Sequence, residues 1–361
     1  FVMKKILLST IPALLLANPF QTTLEDEVSW LKEETFVISA SRVKESIKKT
    51  PASITIIDNE MIKKMGAKDI FDILKTVPGI GISQSNVYVD KITIRGIQTW
   101  FSEKVLILLD GHSLNVDLLN GGATGAFKNF PIELIKRVEV VKGPASALYG
   151  ENAFSGLINI ITKKASDIDG SIITLKGGSN STKVINLLYG KDYGKTELTF
   201  NVNSETSNDR RYVKSDNSGN SGTTNPKVDS LNTYLSINNT NGLYLTLNYN
   251  KTKDGAKYGA LHSLNKNDLS NKETTLFELG YKNNLYKNID IHTKIYQDVF
   301  DVKNSWDIGA IVQTDYKTIK KGIESLLTFS NDNHKIISGV SYEEQQIKNA
   351  VQKINNVTVP T

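Results

Sequence analysis

The sequence contains no cysteine, which excludes a disulfide framework, a Cys-based zinc site and a thiol nucleophile, while leaving an oxidising compartment open. It also lacks any apolar run approaching the roughly 20 residues of a membrane-spanning helix, so a passage through a bilayer would require a closed β-barrel that pairs every backbone N–H and C=O. Only four histidines occur, His112, His262, His292 and His334. They form no HxxxH or HExxH pair, so ordinary surface or lumen histidines are expected and no metal site. No GxSxG, Walker loop or spaced metal triad is present, and Gly121-Gly122-Ala123-Thr124-Gly125 does not follow a strand in a GxGxxG frame, so neither an enzyme nor a cofactor site is expected. The net charge is only +5, spread without the basic stripe and stacking aromatics of a nucleic-acid groove.

What is present begins at the amino terminus. Met3-Lys4-Lys5 precedes Ile6-Leu7-Leu8-Ser9-Thr10-Ile11-Pro12-Ala13-Leu14-Leu15-Leu16-Ala17, a basic then apolar opening that reads as an export signal over residues 1–20. The hydrophobic content of 39% suffices for a folded core.

Residues 47–165 read as one compact α+β domain. The runs Ser53 to Ile57, Lys91 to Arg95 and Val105 to Leu109 are β-branched or aliphatic and bounded by Gly, Pro, Asp and Asn, as strands require. Between them, Asp58-Asn59-Glu60 opens a helix that Gly66 closes, and Asp69 to Lys75 repeats helical spacing until Pro78-Gly79.

From Gly170 to Thr361 the pattern changes to period-two alternation. Leu198, Phe200 and Val202 oppose Thr199, Asn201 and Asn203; Ile289, Ile291 and Ile295 oppose Asp290, His292, Lys294 and Tyr296. An apolar face against a polar one suits a lipid-facing exterior and a wet lumen. Short turns at Asp192-Tyr193-Gly194, Asn239 to Gly242, Asn283 to Asn288 and Asn331-Asp332-Asn333 alternate with polar stretches near 207–227, 254–272 and 300–316, which an antiparallel sandwich would not explain. The expected fold is therefore an α+β domain followed by an antiparallel transmembrane β-barrel, incomplete, with about nine strands ending near Gln345 where a barrel of this class has about 22. Open edges in a bilayer leave backbone groups unpaired, so the chain is expected to be the N-terminal portion of a longer protein.

Four stretches carry a family resemblance: Pro78-Gly79-Ile80, Ile94-Arg95-Gly96-Ile97, Val105 to Asp110-Gly111, and Ile135 to Gly150 with Arg137, Glu139, Lys142, Gly143, Pro144 and Tyr149, running into Gly156 to Thr162. Together they resemble the plug domain of TonB-dependent outer-membrane receptors. Physical reasons accompany the motifs: Gly143-Pro144 makes a tight turn, Tyr149-Gly150 ends a helical turn, and Gly156 lets a strand start against neighbouring backbone.

The resemblance implies that Arg95 and Glu139, or charges near them, face charges on the barrel wall and hold the plug in the lumen. It also assigns Glu34-Thr35-Phe36-Val37-Ile38-Ser39-Ala40 as a TonB box, an extended segment that TonB adds to its own sheet, against the alternative that it is simply the first plug strand. Its further implications are a monomer in the outer membrane of a Gram-negative cell, partnered by lipid, by TonB with its inner-membrane energising complex, and by a scarce ligand. That ligand is first an iron complex such as a ferric siderophore, with haem or cobalamin as alternatives. A passive porin or adhesin, and a non-functional fragment, are the competing readings.

Overall fold

A computed structural model of the chain describes residues 36–37, 39, 45–46, 53–84, 90–116, 127, 129–208, 212–216, 219–223, 227–255, 264, 268–307, 310–331 and 334–359. The export signal, Glu34, Thr35, Ile38 and Ala40 of the coupling heptamer, and Gly121 to Gly125 lie outside them. Within the heptamer, β1 (Phe36–Val37) pairs antiparallel with β2 (Glu45–Ser46) and belongs to no larger sheet.

The α+β domain opens with β3 (Ser53–Asp58), whose last residue caps α1 (Asn59–Met65) by accepting the Met61 N–H at 2.8 Å. Gly66 ends α1 in the left-handed region, and Asp69 caps α2 (Ile70–Leu74). The caps anticipated from the sequence thus set both helices. β4 (Ile80–Gln84) and β5 (Asp90–Ile94) form a separate antiparallel pair.

The main sheet has the order β3-β8-β9-β6-β7, from β6 (Val105–Leu109), β7 (His112–Ser113), β8 (Ile135–Lys142) and β9 (Gly156–Thr162). Strand β6 runs parallel to β9, and all its residues are buried. A strand covered on both faces needs an unbroken apolar run, which Val105-Leu106-Ile107-Leu108-Leu109 supplies. Its odd-numbered residues join a core with Ile70, Phe71, Leu74, Val138 and Val140. Leu106 and Leu108 pack on the opposite face with Val141, Ala153 and Leu157. After β8, α3 (Ser146–Tyr149) closes at Gly150, and after β9, α4 (Ala165–Ile168) leads out of the domain.

The second sheet is a meander of β10 (Gly170–Gly178), β11 (Thr182–Asp192), β12 (Thr196–Asn208), β15 (Lys227–Asn239), β16 (Leu243–Gly255), β17 (Leu269–Tyr286), β18 (Ile289–Asp307), β19 (Ile311–Ser330), β20 (Lys335–Ile354) and β21 (Val357–Val359). A hairpin of β13 (Tyr212–Val213) and β14 (Gly222–Thr223) lies within the connection from β12 to β15. Polar residues face the first domain and are buried there, among them Asn201, Asn203, Asn232 and Asn250, whereas Ile173, Leu175, Ile185, Ile323 and Val340 are exposed on the outside. This inside-out distribution is what a lipid-embedded wall around a polar lumen requires. The wall contributes Leu188 and Tyr234 to the plug's own core.

Two expectations are corrected. The stretch 300–316 is no long connection: β18 continues to Asp307 and β19 starts at Ile311, with Asn304 opposite Thr314 and Ser305 opposite Gln313. Likewise β20 runs to Ile354, past the expected end near Gln345, and is followed by the short β21. In both places the strands extend beyond the apolar outer band. After Val299 the alternation is inverted, with Phe300 and Val302 buried toward the plug and Asp301 and Lys303 alternating with them. After Gln345 the apolar residues Ile347, Val351 and Ile354 lose the two-residue spacing of a half-buried strand, while the backbone ladder continues in both places.

Gly156 is the tightest point of the plug sheet. Its φ is +156°, and a Cβ there would lie 2.3 Å from the Val141 carbonyl oxygen and 2.8 Å from Ile94 Cδ1. Gly156→Ala is therefore expected to destabilise the plug by about 1–3 kcal/mol, the usual cost of overpacking, read as a lower urea midpoint for plug unfolding with the wall's own transition unchanged.

Candidate functional site

Two polar assemblies stand out, one holding the coupling segment to the plug and the other holding the plug to the wall. The first is centred on Glu139, which the alternation of β8 points into the sheet interior, where it is fully buried. A carboxylate there has to be compensated by donors. Arg137 supplies Nη2 and Nε to Glu139 Oε1 at 2.7 and 2.8 Å. Ser39 supplies its backbone N–H and its hydroxyl to Oε2 at 3.0 and 2.5 Å. Asn159, the register partner of Glu139 on β9, donates Nδ2 to Ser39 Oγ at 3.0 Å and accepts the Gly111 N–H on Oδ1 at 3.2 Å.

Among the described residues, the pairing expected of Arg95 and Glu139 with wall charges is not seen. Glu139 faces inward to Arg137 and the coupling segment, because strand alternation directs it into the sheet. Arg95 sits in a left-handed turn (φ 52°) with Gly96 (φ 78°), donates its N–H to the Gly79 carbonyl at 2.8 Å, and makes no ion pair with a described residue. The other motif residues shape the plug. Lys142 Nζ donates to the Pro78 carbonyl at 3.2 Å, Gly143 N–H to the Ser155 carbonyl at 3.0 Å, and Tyr149 packs on the Leu106 and Leu108 face; Pro144 occupies the turn between β8 and α3.

The second assembly springs from the turn Asp110-Gly111 (φ 50° and 87°). Asp110 accepts from Thr162 N–H and Oγ1 at 2.9 and 2.8 Å, and from the Tyr234 hydroxyl of β15 at 3.2 Å. The turn then delivers His112 to the wall. Its Nδ1 lies 2.7 Å from Glu278 Oε2 on β17 and its Nε2 lies 2.8 Å from Asp298 Oδ2 on β18. Lys294 joins Glu278 at 3.1 Å, and Lys320 joins Asp298 at 3.0 Å. Lys320 also donates to the plug carbonyls of Ser113 and Asn115 at 2.7 and 3.4 Å.

A neutral imidazole carries one N–H, yet both ring nitrogens of His112 face carboxylate oxygens, so the ring is an imidazolium. Burial disfavours that charge, but Asp298 and Glu278 outweigh it, and the His112 pKa stands above the ordinary 6.5. The sequence offered no more than an unremarkable lumen histidine here, since its partners lie more than 160 residues away.

Glycine shapes the wall beneath this cluster. A Cβ on Gly322 would lie 2.3 Å from the ring of Tyr296, its register partner, and one on Gly280 would lie 2.3 Å from the ring of Tyr244. The bare backbone lets both rings lie across the strands. Tyr296 can thereby stand edge-to-face on His112 at 5.0 Å, and Tyr244 OH reaches Glu278 at 2.9 Å and His292 Nε2 at 2.7 Å. Having donated its one hydrogen to Glu278, Tyr244 must accept from His292.

A polar cavity of about 620 Å3 separates α3 and β7 from β18 to β20, with His112, Tyr296, Lys320 and Glu324 on its lining. Among the described residues no group of His, Asp and Glu is arranged to hold a metal ion. Lys320→Met should leave Asp298 under-compensated and two plug carbonyls without their donor. The expected loss is about 3–5 kcal/mol, typical of removing one partner from a buried pair, seen as a reduced urea midpoint for the plug.

Comparison with known proteins places this arrangement. Residues 46–157 match the family described as TonB-dependent Receptor Plug Domain. A stretch of 155 residues, 42% of the chain, is 38% identical to 24% of the vitamin B12 transporter BtuB of Vibrio vulnificus. The fold is similar to that of the ferric-catecholate import receptor Fiu of E. coli K12 (TM-score 0.63, 19% identity, 84% of this chain on 50% of that one). It is also similar to the pyoverdine receptor FpvA of Pseudomonas aeruginosa PAO1 (TM-score 0.67, 15% identity, 88% on 49%). The chain spans about a quarter of the length of that curated relative and about half of these solved receptors. Residues 46–157 thus match a TonB-dependent receptor plug domain, and the strands that follow are similar in fold to the walls of these solved receptors.

Proposed function

We propose that the protein containing this chain takes up a scarce ligand across the outer membrane, drawing energy through TonB and its inner-membrane complex. The observation that carries this reading is the clasp on Ser39. Among the described residues, Phe36 and Val37 pair with the two-residue β2, and Ser39 is fastened by hydrogen bonds without being woven into the five-stranded sheet. An extended segment held in this way can be freed and added as a strand to a partner's sheet. An external energy source is needed because binding alone cannot concentrate a ligand against its gradient.

A ferric siderophore is the first ligand reading, resting on the need for a plugged, energised route for large scarce chelates. A corrinoid is the second, favoured by the identity with a vitamin B12 transporter across the plug region. The discriminating experiment supplies ferric siderophores or cyanocobalamin to cells expressing the full-length gene, with and without a protonophore. Protonophore-sensitive accumulation of iron supports the first reading, and of cobalamin alone the second. Accumulation indifferent to the protonophore overturns energised uptake.

Ser39→Ala deletes the hydroxyl bonds to Glu139 and Asn159 but keeps the backbone one. With about 1–2 kcal/mol lost, the released fraction of the coupling segment should rise roughly 5- to 30-fold without ligand. Spin-label mobility at Val37→Cys, the sole cysteine in that background, measures it.

A further inference from the structure

The ionic contacts between plug and wall include one group whose charge changes near neutral pH. His112 projects from the plug onto two wall strands at once. It faces Glu278 from β17, Lys294, Tyr296 and Asp298 from β18, and Lys320 and Glu324 from β19; Tyr244 of β16, with His292 behind it, touches Glu278. Three cations (His112, Lys294, Lys320) are set against three carboxylates (Glu278, Asp298, Glu324) in this seam beside the polar cavity. From its own side, among the described residues, the plug adds the buried Asp110 carboxylate, which repels Glu278, and the carbonyls of Ser113 and Asn115, both turned to Lys320.

We propose that His112 is a titratable pin: as an imidazolium it fastens the plug to β17 and β18, and its neutralisation at alkaline pH loosens the plug from the wall. Removing the proton leaves one ring N–H for two carboxylates. The other nitrogen then presents a lone pair to an oxygen less than 3 Å away, and the seam acquires one uncompensated negative charge. The wall does not come apart with it, because Glu278 retains Lys294 and Asp298 retains Lys320, both partners lying on the wall itself. Only the bond to the plug is lost. Lys320 and its two plug carbonyls stay as a second link, so the plug is loosened and not expelled.

The sign follows from the proton balance. The docked plug binds the His112 proton more tightly than the released plug does, so the pin is at full strength below pH 6.5 and is lost as pH rises through the docked-state value. Between those limits the docking equilibrium should fall by up to about tenfold per pH unit. The inference uses the plug-in-wall arrangement alone, so it stands or falls independently of which ligand is carried and of TonB.

The full-length protein in outer-membrane vesicles, labelled at Met61→Cys with any cysteine outside these 361 residues replaced, reports plug release by urea titration at a series of pH values from about 6 to 9.5. The wild-type midpoint should decline with rising pH. His112→Gln, neutral throughout, should give a flat profile at or below the wild type's alkaline limit. A wild-type midpoint that does not move with pH, or one that declines equally in His112→Gln, overturns the pin. Nitrogen NMR of histidine-labelled wild-type protein decides the matter even where the variant fails to fold. The His112 ring should stay doubly protonated above the ordinary histidine value of 6.5, and a ring that titrates at or below 6.5 overturns the proposal.

Discussion

Buried charge between two separately folded bodies has to be compensated locally, and in this protein that constraint fixes where the plug sits. The wall presents Glu278, Asp298, Lys294 and Lys320 toward the lumen, and the plug answers with a single imidazolium and a pair of carbonyls. Apolar packing contributes at the edges, through Leu188 and Tyr234 against the main core and through Val116 against Phe300 and Val302. Such contacts tolerate sliding, whereas a doubly bonded imidazolium specifies one position and orientation.

The same demand for compensation organises the coupling segment. Glu139 lies in the middle of the plug sheet, where Ser39 and Arg137 both bond to its carboxylate. Asn159 then serves two masters, with its amide nitrogen on Ser39 and its oxygen on the N–H of Gly111, the residue that immediately precedes His112. Ser39 and the plug–wall joint are therefore linked through one side chain on β9. A disturbance at either end changes the hydrogen-bond partners available at the other.

Much of this was legible in the residues. Asp58 and Asp69 announced helix starts, Gly66 a helix end, and the unbroken run of Val105 to Leu109 a strand covered on both faces. Leu198, Phe200 and Val202 against Thr199, Asn201 and Asn203 announced a wall with opposite faces. The strand ends of β18, β19 and β20 were not legible, because there the apolar residues either turn to the plug side, as Phe300 and Val302 do, or lose their two-residue spacing, as Ile347, Val351 and Ile354 do. Nor was the orientation of Glu139, whose charge suggested a partner on the wall although its buried one is Ser39.

Local order and chemistry, then, were determined by the sequence itself: caps, glycine turns, strand periodicity, the absence of thiols and the plug motifs all act over a few residues, within reach of backbone sterics and side-chain propensity. The tertiary structure alone decided which charges meet. His112 reaches Glu278 and Asp298 across 166 and 186 residues, and Ser39 reaches Glu139 across 100. Such encounters depend on sheet register and on how the plug is seated in the wall, and no pattern of neighbouring residues encodes either.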